Sequence, residues 1–496
     1  MENLNHEKSN QEIQKKLKTI AIIGGGVGGL YTAWKLCKKG FKITLLEQQK
    51  FLGGLSTSIQ HEGFKIDIGP HYVTFPKESE LVDDIKELMR NENILEIPDI
   101  HKSYRTCFRG RISHTYPTLY ETILTNGMIF WVHSFYDLFI SKCKNFFLNK
   151  EFKSARDYLI STYGNFLYKT WFKPYLLFTF GETEGPLDII KKRFPPISMQ
   201  KIFSSSKKHS QKSEVSETKN ENDESNQYFH WYPKFGMGSV IDALQEKISN
   251  KNGTIINDAN VSTIEHDRFP KIIHYSKNKQ QFEISADAIV YATPLYVTKK
   301  WFSNRQPDIK PEFKKNTALH GIIVFLFVNS PSVFDGWVIT VYDTNLPFFR
   351  VAQQNFLSDY IAPSEKSLLS LEIKSGENDQ IWKLDEPSLI SHLEESLTKS
   401  GILHGEKIEG YKVIKIKNLY PPATQTKYDN NYAKIEDSLN KFKNEYLLGS
   451  ADVDVGRLAS NVESVDDSKT SLSLGGVHAA LSNANIIVNR IISENS

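Results

Sequence analysis

The sequence predicts an α/β protein of two interleaved domains, one of them built around a parallel sheet. A buried strand at residues 19–23 runs into a glycine-rich turn, a helical pattern follows at 30–39, and a second strand follows at 41–47. A strand, helix and strand in this order form a right-handed unit with parallel strands. Similar apolar strands return at 288–292 and 446–450. The first domain therefore collects distant parts of the chain, with a second domain inserted between them.

The composition is that of a globular protein with balanced charge. The 496 residues include 61 Lys and Arg against 58 Asp and Glu, for a net charge of +3. This balance does not indicate a nucleic-acid binder, which usually concentrates basic residues in one patch. The odd number of cysteines (Cys37, Cys107 and Cys143) has no metal-like spacing, so we expect no metal site, no disulfide scaffold and a reducing, cytoplasmic compartment.

No targeting or membrane-spanning segment is expected. Residues 1–18 are polar and lack the apolar core of a secretory signal. No run of about 18 apolar residues occurs. The Phe- and Trp-rich stretch at 128–148 allows two interpretations: an amphipathic helix packed on the core, which we favour, or a helix that contacts a membrane surface.

Residues 204–227 differ from the rest of the chain in composition. They contain one large apolar residue, Val215. Such a segment cannot bury enough surface to offset its ordering entropy, so it is predicted to be a disordered loop.

The remaining apolar periodicity predicts further helices and strands. Helical patterns lie at 78–90, 154–178, 238–248, 386–398 and 471–492. Strand patterns rich in β-branched residues lie at 254–256, 321–328, 337–342 and 367–373.

The glycine-rich turn is typical of a dinucleotide site. Gly24, Gly26 and Gly29 follow the first strand with the spacing G-x-G-x-x-G. The first glycine allows the tight turn, the second lets the backbone approach a pyrophosphate, and the third lets helix and sheet pack closely. The N–H groups at the start of the helix then face the phosphates. This indicates a Rossmann-type nucleotide-binding domain.

The residues that follow favour FAD over NAD. Glu47 ends the second strand, where an acid accepts hydrogen bonds from the adenosine ribose and disfavours a 2′-phosphate. Gly53 and Gly54 come soon after, and Gly69-Pro70-His71 ends a later strand at a turn. NAD does not need this second glycine pair near its pyrophosphate.

Together these motifs resemble the superfamily of FAD-dependent amine oxidases and protoporphyrinogen oxidases, which also contains phytoene desaturases and UDP-galactopyranose mutases. The resemblance continues at 154–181, 232–244, 260–264 and 287–294. It implies FAD as cofactor and a Rossmann-type FAD-binding domain interleaved with an α+β substrate domain. The FAD-binding domain would comprise 19–75, 232–300 and 440–496, and the substrate domain 76–231 and 301–439.

The resemblance also assigns roles to individual residues. It implies that the backbone of Val261 meets the adenine and that Tyr175 and Arg193 line the substrate cavity. In the C-terminal part the resemblance marks three candidates near the flavin: Gly449, Gly456 and Arg457. Here the chain departs from the family, because a polar stretch separates these residues from the last helix.

Three other residues are candidates on position alone. His71 follows Gly-Pro and is the candidate catalytic residue beside the flavin ring; a hydrogen-bonded structural histidine is the alternative. Arg109 lies in an arginine-rich segment, where alternation on a strand would direct it toward an anionic substrate; a solvated face is the alternative. His320 precedes a buried strand and is a further candidate for the flavin face.

The predicted function is an FAD-dependent oxidoreductase that transfers a hydride from a small organic substrate to flavin N5. One alternative is a redox-neutral mutase resembling UDP-galactopyranose mutase. Another is a flavin-binding partner protein without turnover, in contact with a membrane. The oligomeric state is left open.

Overall fold

The computed structural model describes residues 17–69, 71–97, 100–108, 110–114, 127–146, 152, 154–180, 187, 190–191, 194, 228–302, 319–420, 444–448 and 477–496. The loop predicted at 204–227 lies outside these residues.

Strands and helices are numbered here along the chain. The strands are β1 Thr19–Ile23, β2 Lys42–Leu46, β3 Ser58–His61, β4 Phe64–Asp67, β5 Val73–Pro76, β6 Ile94–Glu96, β7 Tyr104–Phe108, β8 Arg111–His114, β9 Tyr228–Pro233, β10 Thr254–Ile256, β11 Asn260–Glu265, β12 Lys271–Lys277, β13 Gln280–Ala286, β14 Ala288–Tyr291, β15 Leu319–Val328, β16 Val338–Val341, β17 Arg350–Gln353, β18 Ser367–Ser375, β19 Ile408–Tyr420 and β20 Glu445–Leu447. The helices are α1 Val27–Lys38, α2 Glu80–Leu88, α3 Met128–Phe146, α4 Ala155–Tyr163, α5 Asn165–Leu167, α6 Lys173–Phe180, α7 Gly238–Ser249, α8 Leu295–Phe302, α9 Gln380–Lys383, α10 Glu386–Lys399 and α11 Val477–Glu494.

A five-stranded parallel sheet has the order β10-β2-β1-β14-β20. We call this sheet and the helices packed on it the nucleotide side, because the glycine loop follows β1. Its strands come from distant parts of the chain, and α1, α7 and α11 pack on it. β1 lies in the middle, so residues on both of its faces are buried, as its unbroken apolar sequence requires. The predicted α/β fold class is confirmed. The domain boundaries stay a prediction.

A seven-stranded sheet, in the order β19-β15-β18-β17-β16-β7-β8, forms the second layer, here called the substrate-side sheet. Successive side chains of β18 point to opposite faces of this sheet. Leu369, Leu371 and Ile373 pack against α10. Leu368 joins the core shared with the nucleotide side. Glu372 and Lys374, at even positions like Leu368, therefore lie on the face turned toward that side.

The predicted helices and strands agree with the structure where the apolar pattern of a segment is strong. The predicted strands at 19–23 and 254–256 match β1 and β10. The predicted helix at 154–178 is instead divided, because Gly164 adopts a φ of +91° and a π-helical segment, Tyr168–Phe172, precedes α6. The antiparallel strands β11 to β13 and the long β19 were missed, since half-exposed strands carry a weaker apolar pattern.

A buried charged cluster holds β20 at the edge of the parallel sheet. Glu445 accepts hydrogen bonds from the Tyr291 hydroxyl at 2.8 Å and pairs with Lys271 Nζ at 2.8 Å. Its carboxylate also lies 3.0 Å from His266 Nδ1. Desolvation raises the pKa of Glu445, but His266 and Lys271 outweigh it and the pKa is lowered overall. The cluster fixes the strand that leads into the C-terminal segment.

Candidate active site

The first glycine loop is crowded on one side and open on the other. Gly24 has a φ of +113°, and a Cβ there would lie 2.5 Å from the Ala292 carbonyl oxygen. A Cβ at Gly29 would overlap the Gly24 carbonyl oxygen. At Gly26 no atom of the described residues, apart from those next to it in the chain, lies within 4 Å of an added Cβ. The loop is thus pressed against the sheet and leaves space in front of Gly26.

The second glycine pair borders the same space. The Gly53 N–H donates to the Gly25 carbonyl at 2.8 Å, and Gly53 forms a bridge with Gly26. Gly26 is also the N-cap of α1, with no side-chain cap and no acidic residue in the first turn. The N–H groups at the start of α1 are therefore available to an anion.

Glu47 lies beside this loop. Its Oε2 accepts a hydrogen bond from the Gly25 N–H at 2.6 Å, and its Oε1 accepts one from the Gln49 N–H at 2.8 Å. The carboxylate is half-buried. Each oxygen retains further acceptor capacity, as a ribose ligand requires.

Val261 lies on β11, where the pairing with β12 is irregular between Val261 and Thr263. Its carbonyl oxygen accepts a hydrogen bond from Trp301 Nε1 at 3.3 Å. The adenine assignment of Val261 remains an expectation from the resemblance.

Asp67 is a buried residue that the sequence reasoning missed. Its carboxylate accepts hydrogen bonds from Ser58 Oγ at 2.5 Å, from the Tyr232 hydroxyl at 2.6 Å and from the Met237 N–H at 3.1 Å. Burial raises the pKa of Asp67 to about 6, although these donors oppose the rise. The network joins β4 to the start of α7 and fixes the turn that begins at Gly69.

His71 lies at the junction of three segments. Burial, followed by the positive charges of Arg350 and His478, lowers the pKa of His71 to about 3. His478 belongs to the first turn of α11, and burial lowers its pKa as well. Among the described residues, His478 Nε2 is a buried nitrogen without a hydrogen-bond partner. A Cβ at Gly69 would lie 2.4 Å from His71 Nε2, so a larger residue there would displace the His71 ring.

Arg350, Glu372 and Lys374 form a charged row on the inner face of the seven-stranded sheet. Arg350 Nε donates to Glu372 Oε1 at 2.7 Å, and Glu372 is 5% exposed. Burial and the charge of Arg350 lower the pKa of Lys374, Glu372 opposes this, and the result is about 8. The charge of Arg350 lowers the pKa of both His71 and Lys374, so we group these residues as one polar site.

An aromatic group belongs to the core that the inner face of this sheet shares with the parallel sheet. The Tyr104 hydroxyl donates to the Tyr72 hydroxyl at 2.9 Å, and both rings meet Trp337 edge-on at 5.4 and 5.1 Å. Tyr72 directly follows His71. The site thus combines a polar row with an apolar wall, an arrangement that binds small organic molecules.

Several predicted residues cannot be compared. Pro70, Arg109, Arg193, Gly449, Gly456 and Arg457 lie outside the described residues, and Tyr175 lies on α6 with its side chain outside them.

Arg105, from the same arginine-rich segment as Arg109, and the candidate His320 lie away from the polar site. Arg105 is buried and donates to the Lys102 carbonyl at 2.6 Å and to Asp335 at 2.9 Å. His320 pairs with Ser375 on the opposite face of the sheet from Glu372, and its ring lies 4.6 Å from that of Trp382.

The missed residues had a weak sequence signal. Glu372 and Lys374 alternate with apolar residues within a strand that is otherwise buried. Charged side chains at such positions often mark a site, but the predicted strand ended at residue 373. Nothing in the sequence indicated that Arg350 or His478 would join them.

The residues near the first glycine loop fit FAD. The space in front of Gly26 and the free N–H groups of α1 suit a pyrophosphate, and Glu47 suits the ribose. The sequence profile of the family described as flavin-containing amine oxidoreductases matches residues 27–408, more than half of the chain.

The chain belongs to this family. Its cofactor is FAD, as the sequence predicted. The predicted enzyme class, an FAD-dependent oxidoreductase, agrees with this family.

Relatives match this chain over short segments of sequence, whereas solved structures match it over nearly its whole length. A phytoene desaturase of Fusarium fujikuroi is 43% identical over 60 residues, which are 12% of this chain and 10% of that protein. The match therefore spans only a small part of the relative. A reduced UDP-galactopyranose mutase structure has a TM-score of 0.73 at 16% identity and covers 96% of this chain and 94% of that one. A putrescine oxidase bound to putrescine has a TM-score of 0.59 at 12% identity and covers 96% and 99%. The structural likenesses establish the fold.

Proposed function

We propose that this oxidoreductase removes a hydride from a carbon atom of a small organic substrate that binds between His71 and the charged row. The observation that supports the proposal is the contact between Arg350 and Glu372 on the inner face of the sheet, together with the effect of the Arg350 charge on the pKa values of His71 and Lys374. We therefore place the turn at His71 and the charged row of the seven-stranded sheet in one polar site.

FAD, when bound, supplies the electron acceptor for the hydride. Gly26, Gly53 and the start of α1 would hold its pyrophosphate, and Glu47 its ribose. His71 and His478 would lie toward the flavin half. A neutral His71 can donate or accept one hydrogen bond without adding charge, because its lowered pKa keeps it uncharged at pH 7.

Lys374 is the proposed proton acceptor. Loss of a hydride from a carbon that bears an amine or a hydroxyl also requires loss of the N–H or O–H proton. A lysine whose pKa is about 8 is partly neutral near physiological pH and can take that proton at Nζ. The buried Glu372 carboxylate would then help to hold the resulting ammonium group.

Arg350 is the proposed contact for a polar or anionic group of the substrate. Glu372 holds the guanidinium through Nε, which fixes its orientation on the sheet. The Tyr72, Tyr104 and Trp337 rings would pack on the apolar part of the same molecule.

A mutase resembling UDP-galactopyranose mutase is the second candidate. The cationic pair Arg350 and Lys374 favours it, since two cations facing one site suit a diphosphate. The sequence departs from that family, however. Ser198 lies near where the mutases carry a further arginine after 193–195, and no tyrosine occurs at 461–465.

The charge balance supports a small molecule as partner, without nucleic acid, and the odd set of three cysteines supports the cytoplasm as compartment.

The test is anaerobic reduction of the FAD-loaded protein by candidate donors: protoporphyrinogen, polyamines, a polyene precursor, NAD(P)H and UDP-sugars. Loss of the oxidised flavin band with one donor supports the oxidoreductase and identifies its substrate class. Isomerisation of a UDP-sugar by the chemically reduced protein, with no donor bleaching, would replace it with the mutase.

A further inference from the structure

The helix α3 carries its apolar face on the outside of the protein. Six large apolar side chains of this helix are between 54% and 76% exposed. They are Met128, Ile129, Val132, Phe135, Tyr136 and Phe139. This differs from the packed amphipathic helix favoured by the sequence, which would have directed the same residues into the core.

The exposed residues form a single stripe. Their spacing places them within an arc of about 120° at 100° per residue. From Met128 to Phe139 the stripe is about 17 Å long, at 1.5 Å per residue. Contiguous exposed apolar surface of this kind marks an interaction site.

The orientation of α3 is fixed by its inner face. Phe130 is buried and meets Phe166 edge-on at 5.1 Å. The Ser134 hydroxyl donates to the Phe130 carbonyl at 2.8 Å, and Asp137 Oδ2 accepts from the Phe166 N–H at 2.6 Å. Rotating the helix to bury its apolar stripe would break the Asp137 contact and expose Phe130.

The charges around the stripe indicate what covers it. Residues 127–180 contain seven basic and three acidic residues. Exposed charges on the neighbouring helical segments are Arg156, Lys169 and Lys173 against one acid, Asp157. The Asp137 carboxylate accepts a hydrogen bond from the Phe166 N–H on the inner face. The sequence of α3 itself continues with Lys142 and Lys144.

An apolar stripe beside excess positive charge complements a bilayer with anionic headgroups. A symmetric dimer through this face would instead bring two basic surfaces together. In the part of the chain that the structure describes, no helix is long and apolar enough to cross a membrane. Contact would therefore be with the surface of the bilayer.

We propose that α3 lies flat in the headgroup region of a membrane containing anionic lipids, with its apolar stripe inserted between the lipids. Aromatic contacts join this helix to the substrate-side sheet. Phe130 lies 6.3 Å from Phe108, Phe108 lies 5.7 Å from Trp171, and Trp171 stacks on Tyr342 at 5.5 Å. Docking through α3 would orient this sheet relative to the bilayer. The proposal does not depend on the reaction that the enzyme catalyses.

The test is co-sedimentation of the full-length, FAD-loaded protein with vesicles. Phosphatidylcholine vesicles are compared with vesicles of phosphatidylcholine and phosphatidylglycerol, at low and high salt. We expect binding to the anionic vesicles that weakens as salt rises. The variant Phe135→Ser/Phe139→Ser should lower the partition coefficient at least about tenfold, since each ring contributes apolar insertion.

The matched control is Phe356→Ser, which removes another exposed ring, 41% exposed, from the substrate-side layer. It should bind vesicles like the unchanged protein. FAD content and melting temperature report folding of each variant, and Ile129→Ser replaces the double variant if that one fails to fold. Equal binding of the stripe variant and the control would overturn the proposal. So would a concentration-dependent dimer that the stripe variant abolishes, without vesicle binding.

Discussion

The Glu47 carboxylate accepts a hydrogen bond from the Gly25 N–H at 2.6 Å, although 21 residues separate them in the sequence. The contact joins the end of β2 to the glycine loop before α1. It therefore connects the acid expected to hold the ribose to the loop expected to hold the pyrophosphate.

Replacement of Glu47 should weaken FAD binding while the fold is kept. We expect Glu47→Ala to raise the FAD dissociation constant about tenfold to a hundredfold, as is typical for lost hydrogen bonds to a charged group. Flavin fluorescence during titration measures it. Glu92→Ala, an exposed acid away from the loop, is the control. Unchanged FAD affinity in Glu47→Ala would remove the ribose assignment.

Two glycines of the first loop should respond to alanine in opposite ways. Gly26→Ala adds a methyl group to open space at a φ of −68°, so the apo-protein should melt like the unchanged one but lose FAD affinity. Gly29→Ala would press against the Gly24 carbonyl and should lower the melting temperature of the apo-protein. Thermal unfolding of both apo-variants, followed by FAD titration, separates the two effects. Tight FAD binding by Gly26→Ala would contradict the position of the pyrophosphate.

Flavin reduction should depend on the protonation of Lys374. Because the neutral amine accepts the proton, the rate should rise with pH through about 8 and then level off. Lys374→Gln should be slower and lose this rise, whereas Lys417→Gln, an exposed lysine on β19, should keep it. Anaerobic stopped-flow absorbance measures the rate.

The lowered pKa of Lys374 also affects stability. Between pH 8 and the ordinary value of 10.5 the unfolded chain holds a proton that the folded protein lacks, so this group makes folding more favourable as pH rises through that window. NMR of isotopically methylated lysines gives the pKa directly. A Lys374 signal that titrates near 10.5 would exclude it as the base.

Arg350 and Glu372 should be coupled in stability. Arg350→Met leaves the carboxylate of Glu372 buried without its guanidinium, which should cost about 1–3 kcal/mol. The double variant Arg350→Met/Glu372→Leu should cost less than the sum of the single variants, because it removes both charges. Urea unfolding of the four proteins measures the coupling. Additive costs would show that the pair does not interact.

The same variants test the electrostatics of His71. Removal of the Arg350 charge should raise the pKa of His71 from its value of about 3, while burial keeps it below the ordinary 6.5. NMR titration of the His71 ring measures the shift. A pKa that stays unchanged in Arg350→Met would place Arg350 away from His71.

The glycine loop between β1 and α1 could be predicted because its determinants are local. Its residues lie within 24 positions of the sequence: Gly24, Gly26, Gly29 and Glu47. The loop joins a strand directly to a helix, so its course is short and constrained. The sequence by itself determined the βαβ unit and the family, whereas its assignment of the nucleotide site stays a prediction. The polar site was decided only in three dimensions, since His71, Arg350 and His478 come from three distant segments. The outward face of α3 was likewise decided by tertiary contacts. Periodicity shows that a helix has an apolar side, but only the packing of Phe130 and the hydrogen bond to Asp137 determine which side faces solvent.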